Sequence, residues 1–110
     1  MALNNLADSR AEREIRLLRF ICDATRDKSE REILIRVLAD YAWLDADNEI
    51  LFEAIRGLFS RNTQDILSHL PAELTRRGFP DLPWEPLRQR STLTAAEARA
   101  LAGELIQAAK

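Results

Sequence analysis

The sequence has little glycine, proline, cysteine and histidine, and each shortage excludes a class of structure. Three Gly and four Pro in 110 residues are too few for the many turns of a strand-rich domain. One cysteine rules out an internal disulfide and is typical of a reducing compartment. No apolar run reaches the roughly 18 residues of a membrane span, and there is no signal-peptide pattern. We therefore expect an all-α protein in the cytoplasm, with no membrane partner.

Length and charge fit one ordinary folded domain over residues 1–110. The net charge of -2 is close to balance, so it neither indicates nor excludes a nucleic-acid partner. Only Lys28 and Lys110 are lysines among the 16 basic residues. This arginine bias has two readings, a bias in genome composition or a need to pair with phosphates and carboxylates.

Residues 43–55 join an aromatic entry, an acidic corner and a strongly apolar segment. Asp45, Asp47 and Asn48 are each suitable N-caps, since a short side-chain oxygen accepts from the free N–H groups of a first turn. Apolar residues then recur at helical spacing as far as Phe59. With apolar side chains on so much of its surface, we expect this helix to be the central one.

The first helix is predicted from Ser9 or Arg10 to Ala24, after a loosely held start over residues 1 to about 8. Basic residues recur every three positions along one side of it. This row is either a solvated face, partly paired with neighbouring glutamates, or a rail for phosphates or an acidic partner. Its members are Arg10, Arg13, Arg16 and Arg19.

Two further helices are predicted from capping signals. Ser29 with Glu32 forms a capping-box pattern, which places the start of the second helix there, with Arg31 among its outward residues. Asn62 or Thr63 is expected to cap a fourth helix, in which Pro71 marks either a bend between two short helices or a kink in one. Gly78 is a natural left-handed stop for it.

The C-terminal third begins with a proline-rich connector over residues 79–86, where prolines forbid a regular helix. Its apolar residues either plug against the bundle or form an exposed strip for a partner. A last helix is predicted over residues 94–109, because Thr94 and Glu97 form a capping box. Its narrow stripe of small apolar residues permits close contact with a helix of the same chain or of a second one.

No arrangement of residues indicates catalysis. His69 is the only histidine, and a zinc site built on His69 and Cys22 would need carboxylates to complete it. Cys22 lies on an apolar stripe, where a thiol is inert. Capping explains Asp45 and Asp47 without a metal. We therefore expect no enzyme activity, no metal and no cofactor.

Several segments resemble the N-terminal domain of bacterial replicative DNA helicases. Residues 43–55 are similar to its acidic corner and following helix, while residues 64–67 and 77–79 resemble its next helix pair. Residues 14–18 are similar to the first helix of the helicase-interaction domain at the C-terminus of bacterial primases, which shares the fold. The likeness covers about residues 10–80. Asn48 stands where the family often has His, and the proline-rich connector replaces a glycine-rich segment.

The resemblance implies a helical bundle that acts in DNA replication by protein–protein contact, within the primosome. We expect about six helices, with a core bundle at about residues 10–80 and a last helix that is peripheral or contacts a partner. The partner would be a replicative helicase, a primase or a second copy of the chain. The predicted contact residues are Trp84, Leu87, Leu101 and Leu105. The alternative, a small nucleic-acid-binding regulator, would use Arg10, Arg13, Arg16, Arg76 and Arg77.

Overall fold

The computed structural model describes residues 9–109 and contains, within them, five α-helices, one 3-10 turn and no strand. The all-α prediction is confirmed, and the predicted loose start lies outside the described residues. None of these helices combines the length and apolar character needed to cross a bilayer. The elements are α1, Arg10–Cys22; α2, Lys28–Val37; α3, Ala46–Ser60; α4, Ile66–Arg76; the 3-10 turn, Glu85–Arg88; and α5, Ala95–Ala109.

Two helix starts follow the sequence signals. Asp45 is the one of the three candidates that caps α3, where its carboxylate accepts from the N–H of Asn48 at 3.1 Å. Thr94 and Glu97 form the predicted capping box before α5. The N–H of Thr94 donates to the Glu97 carboxylate at 2.8 Å, and the N–H of Glu97 donates to the Thr94 hydroxyl at 3.1 Å. Both motifs are local, so the sequence pattern alone was sufficient to predict them.

The predicted start of α2 is wrong by two residues. Asp27 is the N-cap, and it accepts both the N–H and the hydroxyl of Ser29, at 2.8 and 2.7 Å. Ser29 lies inside the helix, which begins at Lys28. Its hydroxyl donates to Asp27, so Ser29 forms no capping box with Glu32. The Asp27 carboxylate accepts two hydrogen bonds from Ser29, which makes Asp27 the stronger cap.

The fourth helix starts later than expected and continues through its proline. Asp65, rather than Asn62 or Thr63, is the cap, and it accepts from the N–H of Ser68 at 3.3 Å. Pro71 lies inside α4 without dividing it, so the segment is one helix and not two.

Gly78 ends α4 as predicted, with a φ of 95°. The N–H of Phe79 donates to the carbonyl of Leu74 at 2.8 Å, and the N–H of Gly78 donates to that of Thr75 at 3.0 Å. This pair of bonds is a Schellman motif, which needs a left-handed residue that glycine adopts without a Cβ clash. The motif turns the chain into the proline-rich connector.

Helix α1, not α3, is the centre of the fold. It contacts α2, α3, α5 and the 3-10 turn, whereas the main neighbours of α3 are α1 and α4. Leu17, Leu18, Phe20 and Ile21 are all at most 1% exposed, which places buried side chains on two sides of α1. The arginines of α1 interrupt its apolar pattern, so the sequence understates how much of this helix is buried. The expectation that α3 is the central helix is therefore wrong.

The last helix packs onto the bundle through small residues. Ala98, Ala102 and Leu105 are fully buried where α5 meets α1 and α2. They belong to the same core as Leu87 of the 3-10 turn. The C-terminal third is therefore part of the core, and the half-buried Leu101 also packs against that core.

Candidate functional site

A shallow groove lies between the start of α4 and the 3-10 turn. It encloses about 500 Å³ and is lined by Leu67 and Trp84, with Asp65, Ser68 and Arg88 at its polar edge. Trp84 is half-buried, and it is the largest apolar side chain of this lining. The groove thus combines an apolar floor with one acidic and one basic group.

The connector holds Trp84 at the groove through bonds to the core. Leu87 is fully buried, and its N–H donates to the carbonyl of Trp84 at 2.9 Å, which closes the 3-10 turn. Arg19 of α1 donates to the carbonyl of Pro86 at 2.8 Å. Prolines on both sides limit the alternative paths of this segment. Leu87, which the sequence assigned to a partner, is therefore the buried anchor of this segment, while Trp84 is half-buried and packs partly against the core.

Two of the four predicted contact residues cannot reach a partner. Leu87 and Leu105 are both 0% exposed, so their assignment to a contact surface is wrong for this fold. Leu87 of the 3-10 turn and Leu105 of α5 both belong to the hydrophobic core. Trp84 and Leu101 remain half-exposed, but Leu101 lies on α5 and does not line the groove at Trp84.

The predicted arginine rail on α1 is drawn into the fold. Arg10 donates through Nε to the Tyr41 hydroxyl at 2.9 Å and through Nη2 to the carbonyl of Ala42 at 2.7 Å. Arg13 and Arg16 are half-buried. The rail is therefore not a uniformly solvated face, because at least Arg10 fastens α1 to the segment that precedes α3.

Arg76 and Arg77 belong to a second cluster, around the buried carboxylate of Glu73. Arg61, Arg76 and Arg77 approach its two oxygens at 2.6 to 2.7 Å. Burial alone would raise the pKa of Glu73, but hydrogen bonds from Arg76, Arg77 and Arg61 outweigh it and lower the pKa from 4.5 to about 2. Three guanidinium groups against one carboxylate leave positive charge at the C-terminal ends of α3 and α4.

A second buried carboxylate, Glu14, is held by neutral donors. It is 0% exposed and accepts from the Tyr41 hydroxyl at 2.6 Å, the N–H groups of Leu44 and Asp45 at 2.7 and 3.3 Å, and the Asn48 amide at 3.0 Å. Burial, followed by the bond to Glu14, raises the pKa of Tyr41 to about 12. This network ties α1 to the chain entering α3, and its role is structural.

The remaining chemically active side chains do not meet. Burial raises the pKa of the Cys22 thiol to about 12, so it stays protonated and unreactive at neutral pH. His69 is exposed, with its Nδ1 2.9 Å from the carbonyl of Asp65. Among residues 9–109, no three His, Cys, Asp or Glu side chains form a group that could hold a metal.

Four charged residues of the described chain are buried although the sequence pattern did not predict it, namely Glu14, Asp23, Arg31 and Glu73. Arg31 in particular was expected to face outward and is only 6% exposed. A signal for two of them was present. Glu14 and Arg31 each precede buried apolar residues at positions three, four and seven further on, which is the spacing of one helical face.

Comparison of the chain with protein-family models, with curated proteins and with solved structures finds no match.

Proposed function

We propose that this chain is a non-enzymatic interaction module of the cytoplasm. It would dock onto a protein of bacterial DNA replication, a replicative helicase or a primase, through the groove at Trp84. The observation that carries the proposal is the position of Trp84. A tryptophan held half-exposed beside Leu67, on a turn anchored by the buried Leu87, matches the side chains that dominate protein interfaces.

The polar edge of the groove supports a protein partner. Asp65 and Arg88 both line the groove and carry opposite charges, so the groove favours neither a uniformly acidic nor a uniformly basic ligand. An apolar centre with a mixed polar rim is the usual composition of a protein interface. The replication partner itself is proposed from the resemblance of residues 43–55 and 64–79 to the helicase and primase domains.

Binding of the purified chain to the replicative helicase and to the primase of the same organism tests the proposal, by biolayer interferometry. We expect saturable binding to one of them and a loss of about tenfold or more in affinity for Trp84→Ala. Phe79→Ala is the matched control, since Phe79 is an aromatic residue, 39% exposed, that lines a different groove with Ile50. Absence of binding to both proteins, or equal losses in the two variants, would contradict the proposal.

Self-association through α5 is the second form of the same proposal. Leu101 is half-buried at the flank of the buried face of α5, next to small residues that allow a close approach of helices. Sedimentation over a range of concentrations tests it, with Leu101→Asp expected to abolish any dimer. Leu105→Asp is unsuitable as a control, because Leu105 is fully buried and an aspartate there would unfold the chain.

A nucleic-acid-binding role is the second candidate function, and the Glu73 cluster favours it. Arg61 and Arg76 are about half exposed, with side-chain exposures of 49% and 62%. Fluorescence anisotropy with labelled DNA and RNA tests this role at about 50 mM salt, where such binding is easiest to detect. Arg76→Gln should weaken it and reduce its salt dependence. If the anisotropy of neither nucleic acid rises at that salt concentration, this candidate function is excluded.

A further inference from the structure

A second cleft lies between the start of α2 and the connection from α3 to α4. It encloses about 220 Å³, which is smaller than the roughly 300 Å³ at which pockets for drug-sized ligands begin. Its lining contains two cationic side chains and no carboxylate. The lining residues are Lys28, Arg31, Phe59, Asn62, Thr63 and Gln64.

Arg31 is a buried cation without a carboxylate partner. It is 6% exposed, and its Nε donates to the carbonyl of Ile21 at 2.7 Å. Its guanidinium lies 5.0 Å from the centre of the Phe59 ring. Within residues 9–109, its two terminal nitrogens donate no hydrogen bond, and no acidic side chain lies within salt-bridge distance of them. Neither of these nitrogens is among the described atoms that are shielded from solvent without a partner, so both are available to a ligand.

The nearest acidic group, Asp23, is already occupied. Its carboxylate accepts from the N–H and hydroxyl of Thr25 at 3.0 and 2.6 Å, and from the N–H of Ser91 at 3.1 Å. It also forms the ion pair with Arg26. Asp23 therefore offers Arg31 a distant attraction and no hydrogen bond, and burial lowers the pKa of Arg31.

The other polar residues of the cleft are donors that the fold leaves unused. The side chains of Lys28, Asn62, Thr63 and Gln64 make no hydrogen bond within the described part of the chain. Asn62 and Thr63 lie in the turn that follows α3, where Asn62 adopts a φ of 59° and the N–H of Thr63 donates to the carbonyl of Leu58 at 3.1 Å. An ammonium, two amides and a hydroxyl thus line the same cleft as the Arg31 guanidinium.

We propose that this cleft binds a phosphate group, with Arg31 and Lys28 as its charged ligands and Thr63 and the two amides as hydrogen-bond donors. Guanidinium groups pair with phosphate oxygens in a planar, two-pronged geometry, and an ammonium adds a point charge. The small volume fits one phosphate better than a whole nucleotide. The group could belong to inorganic phosphate, to a nucleotide or to a nucleic-acid backbone, which share this chemistry.

A purely structural role for Arg31 makes different predictions. The bond from its Nε to Ile21 satisfies a carbonyl in the last turn of α1, where a cation is also favoured by the helix dipole. That role explains one of its nitrogens and involves neither Lys28 nor Thr63. Variants of Lys28 and Thr63 therefore distinguish phosphate binding from capping without disturbing the buried guanidinium.

Amide NMR titration with sodium phosphate, at constant ionic strength adjusted with sodium chloride, tests the proposal. We expect saturable shifts at residues 28–31 and 62–64, weakened about fivefold in Lys28→Gln and in Thr63→Val. Arg36→Gln is the matched control, since Arg36 is an exposed cation of α2 that lies outside this cleft. Shifts that do not saturate, that lie elsewhere, or that weaken equally in Arg36→Gln would overturn it.

Two further titrations identify the source of the phosphate. Thymidine monophosphate and an oligothymidylate without terminal phosphates are added separately to the wild-type chain. Tighter binding of the monophosphate at residues 62–64 indicates a small phosphate ester, and tighter binding of the oligonucleotide indicates a nucleic-acid backbone. If inorganic phosphate and both of these ligands leave residues 28–31 and 62–64 unshifted, the proposal is wrong. None of these outcomes depends on the groove at Trp84.

Discussion

The two tryptophans lie in corners that are built in opposite ways. Trp43 packs against Tyr41 and Phe52, with ring centres 5.0 and 4.9 Å apart, beside the Glu14 network. Trp84 has no aromatic neighbour among the described residues and lines an open groove. Both tryptophans are half-buried, but the Trp43 corner, residues 41–48, is closed by aromatic contacts, whereas in the Trp84 corner, residues 82–88, the tryptophan lines an open groove.

The largest expected effect is the loss of stability when the Glu14 network of the Trp43 corner is removed. Glu14→Ala removes the acceptor of four hydrogen bonds, two of them from backbone N–H groups, and should lower the free energy of unfolding by about 3–5 kcal/mol. Chemical denaturation measures this loss. Glu12→Ala is the control, as Glu12 is exposed on the same helix and should change stability by about 0.5 kcal/mol or less. Equal effects would contradict the network.

The corresponding anchor of the Trp84 corner is Leu87. Leu87→Ala leaves a cavity at a fully buried position and should cost about 2–4 kcal/mol. It should also weaken partner binding, because the turn that positions Trp84 would loosen. Leu67→Ala, at a half-buried position of the groove itself, is expected to cost less stability. A loss below about 1 kcal/mol for Leu87→Ala would show that the turn is not anchored by this residue.

Truncating each tryptophan compares the two corners directly. Trp43→Ala loses two aromatic contacts and should destabilise the chain by about 2 kcal/mol, whereas Trp84→Ala should cost about 1 kcal/mol. Binding should show the reverse order, with the loss confined to Trp84→Ala. Thermal melting and interferometry on the same two variants give both rankings. The comparison fails if one variant shows the larger loss in both.

The smallest effect concerns ionisation in the Trp43 corner. Burial and Glu14 raise the pKa of Tyr41 to about 12, above the value near 10 of an unfolded tyrosine. Its contribution to stability is therefore complete below about pH 10 and is lost as the pH rises toward 12. Tyr41 is the only tyrosine, so the ultraviolet absorbance of phenolate reports it without overlap. A native titration near pH 10 would contradict the buried bond to Glu14.

The parts that could be predicted from the sequence are those that local interactions decide. The capping box at Thr94 and the stop at Gly78 each depend on a few consecutive residues and are confirmed, and Asp45 is the cap among the three candidates before α3. The competing caps failed because Asp27 and Asp65 are stronger acceptors close by. The helical class follows from periodicity, which needs no tertiary information.

The packing of the helices could not be predicted in the same way. Periodicity identifies an apolar face but not the element that covers it, so Leu87 and Leu105 were assigned to a partner although the chain buries them itself. Arg31 was expected to face outward, and the burial of Glu14 was not predicted, because their partners, Phe59 and Tyr41, lie far away in the sequence. Trp84 stays a predicted contact residue and is half-buried, and the groove beside it depends on α4, which the pattern did not place there.

Hydrogen–deuterium exchange with and without the replicative helicase or primase tests the central claim most directly. The account predicts that a saturating amount of one of these proteins slows exchange in residues 65–68 and 84–88 and leaves residues 43–48 unchanged. Unchanged exchange at residues 65–68 and 84–88 with both proteins, or protection confined to residues 43–48, would contradict it.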